Sequence, residues 1–383
     1  MASIPREDSI PSGLSPPFRQ DPAQAAFPLL AHGVSFLLPV ASLIFLATGP
    51  HRWDAALAWT LPVWLCIYAD LKGPSARLEP PESMPAWPFD AALYLHFALQ
   101  ICNIALLLRV ASLLHWSTPS DFATAAANIA AMRILTGTNS CCSGIAVAHE
   151  LIHRHVAHQR WMGRILLWTV CYDHFLVEHV RGHHRLATTA EDPATARFGE
   201  SYREFWGRTG KGQFASAWRL ENQRLGAQPG CWPGWRHRVM QGLAIQAALL
   251  AFIAAAFGPV ALLMFLYQAL VAVHLLEAVN YFQHWGLTRS DRRFGGADAW
   301  GTDSWFTLHA FVGLCRHADH HAYGAKPYQH LCFSEESPNL PCGYFAMAIA
   351  VRLFNARYRQ LAAAELHSRK LGPFRPTPGE NPG

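Results

Sequence analysis

Six apolar blocks, each near the ~20 residues that a helix needs to cross a bilayer, leave this chain few ways to fold. They run from about Phe27 to Thr48, Trp53 to Asp70, Ala91 to Leu108, Phe122 to Val147, Val239 to Phe257 and Pro259 to Val279. Gly49-Pro50, Gly73-Pro74 and Gly258-Pro259 punctuate them. A bilayer interior offers no water to unpaired backbone groups, so spans of this kind are helical. Only 15% of the residues are charged, and the charges gather between the blocks. A soluble all-α protein with buried helices is the alternative; six separate blocks at spanning length argue against it. Arg133, Asp54 and His96 lie within or at the edges of blocks, which suits a bundle with an interior. The expected fold is therefore all-α: a six-helix transmembrane bundle with a helical, histidine-rich domain beside it.

Six spans put both ends of the chain on one side. The segment from Arg154 to Arg238 is rich in arginine, whereas the connections at Thr48–Trp53 and Gly258 are short, so the arginine-rich side is cytoplasmic. This divides the chain into a flexible tail over 1–26, one integral-membrane domain over 27–359 and a C-terminal tail over 360–383. The cytoplasmic parts of the domain are 148–238 and 280–359. No cleavable signal peptide is read at the start. Gly343 to Arg359 has the pattern of an amphipathic helix that either lies on the membrane or packs on the cytoplasmic domain. The net charge of +5 comes without a Lys/Arg run, so nucleic acid is not an expected partner. Nine cysteines, scattered and without a C-x-x-C pair, read as reduced thiols.

Four histidine groups stand after the fourth block, within the cytoplasmic segment, after the sixth block and in the C-terminal region: His149-Glu150-Leu151-Ile152-His153, Glu178-His179-Val180-Arg181-Gly182-His183-His184, Asn280-Tyr281-Phe282-Gln283-His284 and His317-Ala318-Asp319-His320-His321. Residues three or four apart share a helix face, so His149 and His153 point at one spot. The same holds for His179 with His183, His184 lying alongside, and for His317 with His320 and His321. Nine imidazoles exceed what one zinc ion takes, and two metal ions in an all-nitrogen site is the simplest reading. Nitrogen ligands suit iron, copper or zinc. Glu178 and Asp192 are placed to orient imidazoles from behind, and Glu150, Glu277, Gln283 and Asp319 are further neighbours of the same kind. His174, His274 and His309 compete with His284 for its role, while His155, His158 and His330 read as non-ligands. The first group also matches H-E-x-x-H, the pattern of a zinc peptidase with Glu150 as general base. That reading needs one metal and leaves the other clustered histidines without work.

Together the four groups resemble the integral-membrane alkane hydroxylases, relatives of the membrane fatty acid desaturases. The resemblance is densest in His149–His153, in Glu178–Glu200, in Asn280–Leu287 and in Arg316–Ala322. It implies six membrane helices and two iron ions on the cytoplasmic side of a bacterial inner membrane. Their ligands would be His149, His153, His179, His183, His184, His284, His317, His320 and His321. It also implies O2, an apolar hydrocarbon hydroxylated at its terminal methyl group, and electrons from rubredoxin or a ferredoxin. Two positions depart from the alkane pattern: Gln283 stands where that family has glutamate, and Cys315 where it commonly has glutamine. The third motif is similar instead to xylene monooxygenase, which acts on aromatic methyl groups. An acyl-chain desaturase or hydroxylase is the remaining alternative within this chemistry. An apolar tunnel between the helices would admit the substrate, with Trp59, Trp64 and Phe97 as possible wall residues.

Overall fold

The computed structural model describes residues 29–77, 80–81, 84–226, 234–289 and 293–375. The tail expected over 1–26 lies outside the described residues. Within them the chain is all-α, and β pairing is limited to two isolated bridges, Ser75 with Ser304 and Gly301 with Asn339.

Three helices are long and apolar enough to cross a membrane by length and composition: Leu29–Thr48, Ala86–Ser112 and Arg238–His284. The third has 47 residues and is two helices in one, because Gly258 breaks it with φ 82°. That left-handed backbone favours glycine, and Pro259 then starts the second half with its φ already set for a helix. The second expected block is also divided. Trp53–Ala58 and Leu61–Lys72 are separate helices, and the second opens on Pro62.

The fourth block forms one run with two wide turns. A capping box of Thr118 and Asp121 starts Pro119–Ala131. The helix then continues through π segments at Met132–Thr136 and Ser140–Ile145 into Ala146–Ile152. Small residues dominate the second π segment, Ser140-Cys141-Cys142-Ser143-Gly144-Ile145. They let Gln100 of the Ala86–Ser112 helix come close, donating to Ser140 Oγ at 3.0 Å and accepting from Asn139 at 3.1 Å. Polar side chains buried between helices in this way satisfy one another where lipid cannot.

The C-terminal region packs on the bundle. Asp70, at the end of Leu61–Lys72, accepts from Ser304 Oγ at 2.7 Å, Thr307 Oγ1 at 2.6 Å and the Phe345 amide at 2.9 Å. It thereby caps the start of the helix Tyr344–Leu353 with a negative charge and ties it to the membrane helices. This helix buries Tyr344, Phe345, Met347 and Val351. A second helix, Asn355–Ser368, crosses the position where a C-terminal tail was expected to begin, and its Leu366 is fully buried.

Candidate metal centre

Each histidine group is delivered by a helix end. Ala146–Ile152 carries His149, and His153 is its C-cap; His284 is the last residue of the 47-residue helix; His317, His320 and His321 lie on the short helix His317–Ala322. His179 to His184 sit in a π turn, His179–His183, followed by His184–Leu186.

The nine side chains gather into two sets. His149, His153, His179, His184 and His320 form one, and His183, His284, His317 and His321 the other; within each set one nitrogen per ring lies within 4.8 Å of every other. This sorting differs from the one that α-helical spacing predicts. His179 and His183 do not share a target; His179 and His184, five apart, do. The π turn bonds residue i to i+5, and the added residue per turn rotates His184 into register with His179 and leaves His183 facing the other set. The fourth group also divides, His317 and His321 going to the four-membered set and His320 to the five-membered one.

The geometry fits metal ions. Paired Nε2 atoms approach to 3.1 Å in His179–His184 and His184–His320, and to 3.0 Å in His284–His317. Two nitrogens each ~2.0–2.1 Å from one ion come this close when they lie near a right angle about it. Nε2 of His149, His153 and His183 and both nitrogens of His321 are buried without a hydrogen-bond partner. Buried polar atoms are normally satisfied, so a cluster of orphaned imidazole nitrogens pointing inward calls for a Lewis acid. Burial first, and the neighbouring imidazoles second, hold His179, His184, His317, His320 and His321 well below the ordinary histidine range; His153 is lowered to about 4 in the same way. They are neutral at physiological pH, the state in which imidazole ligates.

Of the six expected supporting residues, one touches an imidazole. Asp192 Oδ2 is 2.9 Å from His183 Nδ1 and also accepts from Thr195 Oγ1 at 2.6 Å. With Nδ1 donating its proton to the carboxylate, Nε2 of His183 faces the set as a lone pair. Gln283 lines a cavity beside both sets and donates to Tyr344 Oη at 2.7 Å. Glu150 turns away: it pairs with Arg154 at 2.9 Å and accepts from the Tyr328 amide at 3.2 Å. Asp319 pairs with Lys326 at 2.7 Å and accepts from the Cys332 amide. Glu277 is held by Tyr172, Gln213, Thr209 and Asn280. Glu178 is buried with Oε1 unpartnered, and burial followed by the charges of Asp192 and Glu277 pushes its carboxyl well above the ordinary range.

The competing histidines lie elsewhere. His174 packs on Tyr172, His274 on Trp206, His309 on His32, and His158 bonds Tyr94. Sequence reasoning missed three residues that enclose the sets. Phe175 stacks on His179 at 4.6 Å and Phe294 on His321 at 4.5 Å. At Gly324 a Cβ would meet His184 and His153 atoms at 3.3–3.4 Å, so the backbone itself covers the five-membered set. Neither stacking pattern has a periodic signature in the sequence; Gly324, near the fourth histidine group, had only its neighbourhood to mark it.

Beside both sets lies a small apolar cavity of about 20 Å³, lined by Ile145, Leu276, Val279, Phe311 and Leu314 together with His149, His179 and His317. A larger space of about 590 Å³ shares Cys141, Val279 and Phe311 with it, and Trp64 lines it.

Residues 123–333, more than half of the chain and all nine histidines, match the fatty acid desaturase family. The chain belongs to the fatty acid desaturase family. Among curated relatives of this desaturase-family chain, alkane 1-monooxygenase 1 of Pseudomonas aeruginosa is 42% identical over 219 residues, which is 56% of this chain and 57% of the relative. Alkane 1-monooxygenase of Acinetobacter baylyi is 35% identical over 226 residues, 57% and 55% of the two chains. The hydroxylase component of xylene/toluene monooxygenase from Pseudomonas putida is 26% identical over 203 residues, 51% and 54%. The matches span less than two thirds of the length of these relatives.

Proposed function

We propose that this protein is an integral-membrane monooxygenase that hydroxylates the terminal methyl group of medium- or long-chain alkanes to primary alcohols. The observation that carries this reading is the meeting of two all-histidine sets with one apolar cavity. Relatives named as alkane 1-monooxygenases support the substrate class.

In this reading the nine histidines hold two iron ions, five about one and four about the other. Iron held there would supply the reductive activation of O2 that an unactivated C–H bond requires. The chain's own residues do the rest. Ile145, Leu276, Val279, Phe311 and Leu314 meet the methyl end of the alkyl chain by apolar contact and keep water from the reaction. The hydrogen bond from Gln283 to Tyr344 fixes the wall on the His317 side. Asp192 fixes the tautomer of His183. The histidine sets lie on the cytoplasmic side of the inner membrane, and the arginine-rich segment 154–238 receives an acidic electron carrier, rubredoxin or a ferredoxin.

Oxidation of a methyl-arene is the second reading, favoured by Gln283 and by the xylene/toluene relative. A zinc peptidase is disfavoured, because Glu150 is engaged by Arg154 and does not face the histidines. The test is purified protein loaded with iron and given a reduced electron carrier, O2 and a panel of alkanes, methyl-arenes and acyl chains, with products read by mass spectrometry. Primary alcohol from alkanes and about two irons per chain are expected. Benzylic alcohol alone would shift the assignment to aromatic methyl groups, and a single zinc with peptidase activity would overturn it.

A further inference from the structure

Glu277 is fully buried in the helix Arg238–His284, and it touches none of the nine imidazoles. Four neutral side chains close on its carboxyl instead. Tyr172 Oη donates to Oε1 at 2.9 Å, Thr209 Oγ1 to Oε2 at 3.1 Å and Asn280 Nδ2 to Oε2 at 3.2 Å. Gln213 Nε2 reaches both oxygens, at 2.9 and 3.0 Å, and also donates to Thr209 Oγ1 at 2.8 Å. This ring of donors fits an ionised carboxylate, which only accepts. Charge-assisted hydrogen bonds from neutral groups hold such a carboxylate in place without neutralising it. Among the described residues no Lys, Arg or His stands within ion-pair distance of Glu277.

A buried charge without an opposite charge is costly, so the source of compensation has to be found. The histidine sets supply one. Neutral imidazoles bring no charge of their own to the ions they hold, and a bound cation is the largest charge in its surroundings. Glu277 stands seven residues before His284 on the same helix, about two turns and roughly 10 Å along its axis. Asn280, one of its donors, lines the small cavity with His149, His179 and His317. Tyr172, another donor, stacks on Phe175 with 6.0 Å between ring centroids, and Phe175 stacks on His179. The charge of Glu277 is felt at Glu178, the residue before His179. A layer of side chains thus separates the carboxylate from the ligands. Its field crosses that layer, while the cage keeps it from ligating. The cage is built from three parts of the fold: the turn at Tyr172, the helix Tyr202–Leu225 with Thr209 and Gln213 a turn apart, and the helix Arg238–His284. A charge fixed in this way needs no rearrangement when metal binds.

We propose that Glu277 is a fixed countercharge for the metal pair, a positioning residue that acts through space and not as a ligand, an inference that rests on the two-metal reading above. It raises the affinity of the histidine sets for divalent ions. It also favours the higher iron charge, and so lowers the potential at which bound iron is reduced. Asp192 and Glu277 then divide the support of the centre. Asp192 holds one imidazole by contact, and Glu277 supplies charge on the side of His179, where no carboxylate contacts a ring.

The experiment compares three full-length proteins in nanodiscs: the parent, E277Q, and the swap E277Q/Q213E, which moves the charge across one hydrogen bond and keeps the cage. Co2+ is titrated into each metal-free protein and followed by its d–d absorption. E277Q is expected to bind Co2+ roughly tenfold or more weakly than the parent, and the swap to recover to within about threefold of it. The iron-loaded proteins are then titrated reductively. The midpoint potential of E277Q is expected to shift upward and that of the swap to return toward the parent. Thermal unfolding of the metal-free proteins is the structural control. E277Q is expected to unfold at or above the parent's temperature, because a buried charge without an opposite charge has been removed. Equal Co2+ affinity and equal potential in all three proteins overturn the proposal. So does a metal-free E277Q that unfolds well below the parent, or a swap that binds Co2+ as weakly as E277Q; either assigns the cage to helix packing. Each of these results leaves the metal centre standing as long as the parent binds Co2+. A parent that binds no Co2+ overturns the metal centre itself, and this inference with it.

Discussion

His183 and His184 are neighbours in the chain, yet they serve different histidine sets, and the surroundings of those sets differ. The four-membered set is buried at every position and has a carboxylate behind it, Asp192 on His183. The five-membered set has two half-buried members, His153 and His184, and the Gly324 backbone as its cover. Among the described residues no carboxylate contacts its imidazoles. The comparison teaches that ligand number and outer support trade against each other. A set with four nitrogens is held in orientation by a charge-assisted hydrogen bond, whereas a set with five is held by the helices that carry them.

The largest effect expected from this difference is loss of one metal at a time. His149→Ala and His284→Ala should each abolish turnover while the protein still inserts. Iron content should fall by about one ion per chain in each case, the remaining ion keeping a distinct spectroscopic signature. Parent iron content and rate in the His284 variant would remove that residue from the site.

Asp192→Asn comes next. It keeps the shape but weakens the hold on His183, so metal affinity or activity should fall roughly 10–100-fold, with the loss confined to the four-membered set. Equal weakening of both ions, measured by titration with a chelator, would mean that the sets are not independently supported.

Gln283→Glu should have a smaller effect. Tyr344 can donate to the new carboxylate in place of accepting from the amide, so the wall survives, and the added charge stands near His317 at the cavity. Iron is expected to stay and the ratio of alkane to methyl-arene products to change. Complete loss of iron would show that the position contacts metal directly.

The smallest effect belongs to histidines outside both sets. His155→Ala and His158→Ala should leave activity within about twofold, as exposed positions do. A large loss at either, with the fold intact by circular dichroism, would break the division into nine and the rest.

Much of this was legible in the residues. Block length gave helices, because backbone in lipid has no other way to satisfy itself. Three dense histidine groups, with His284 just after the last apolar block, named the nine side chains that converge. Asp192 was legible as a support because it lies nine residues after His183, in the same connection. Glu150, Glu277 and Asp319 were not separable from it in sequence. Proximity to a histidine in the chain does not say which neighbour a carboxylate will face, and Arg154, a cage of neutral donors and Lys326 claimed these three.

The sequence by itself determined that this chain is helical, long enough in its apolar blocks for a membrane, and armed with nine histidines in four ordered motifs. Tertiary structure alone decided how those nine divide. The reason is the π turn at His179–His183: one added residue per turn is a small backbone adjustment, set by packing, and it reverses which set each of two adjacent side chains joins.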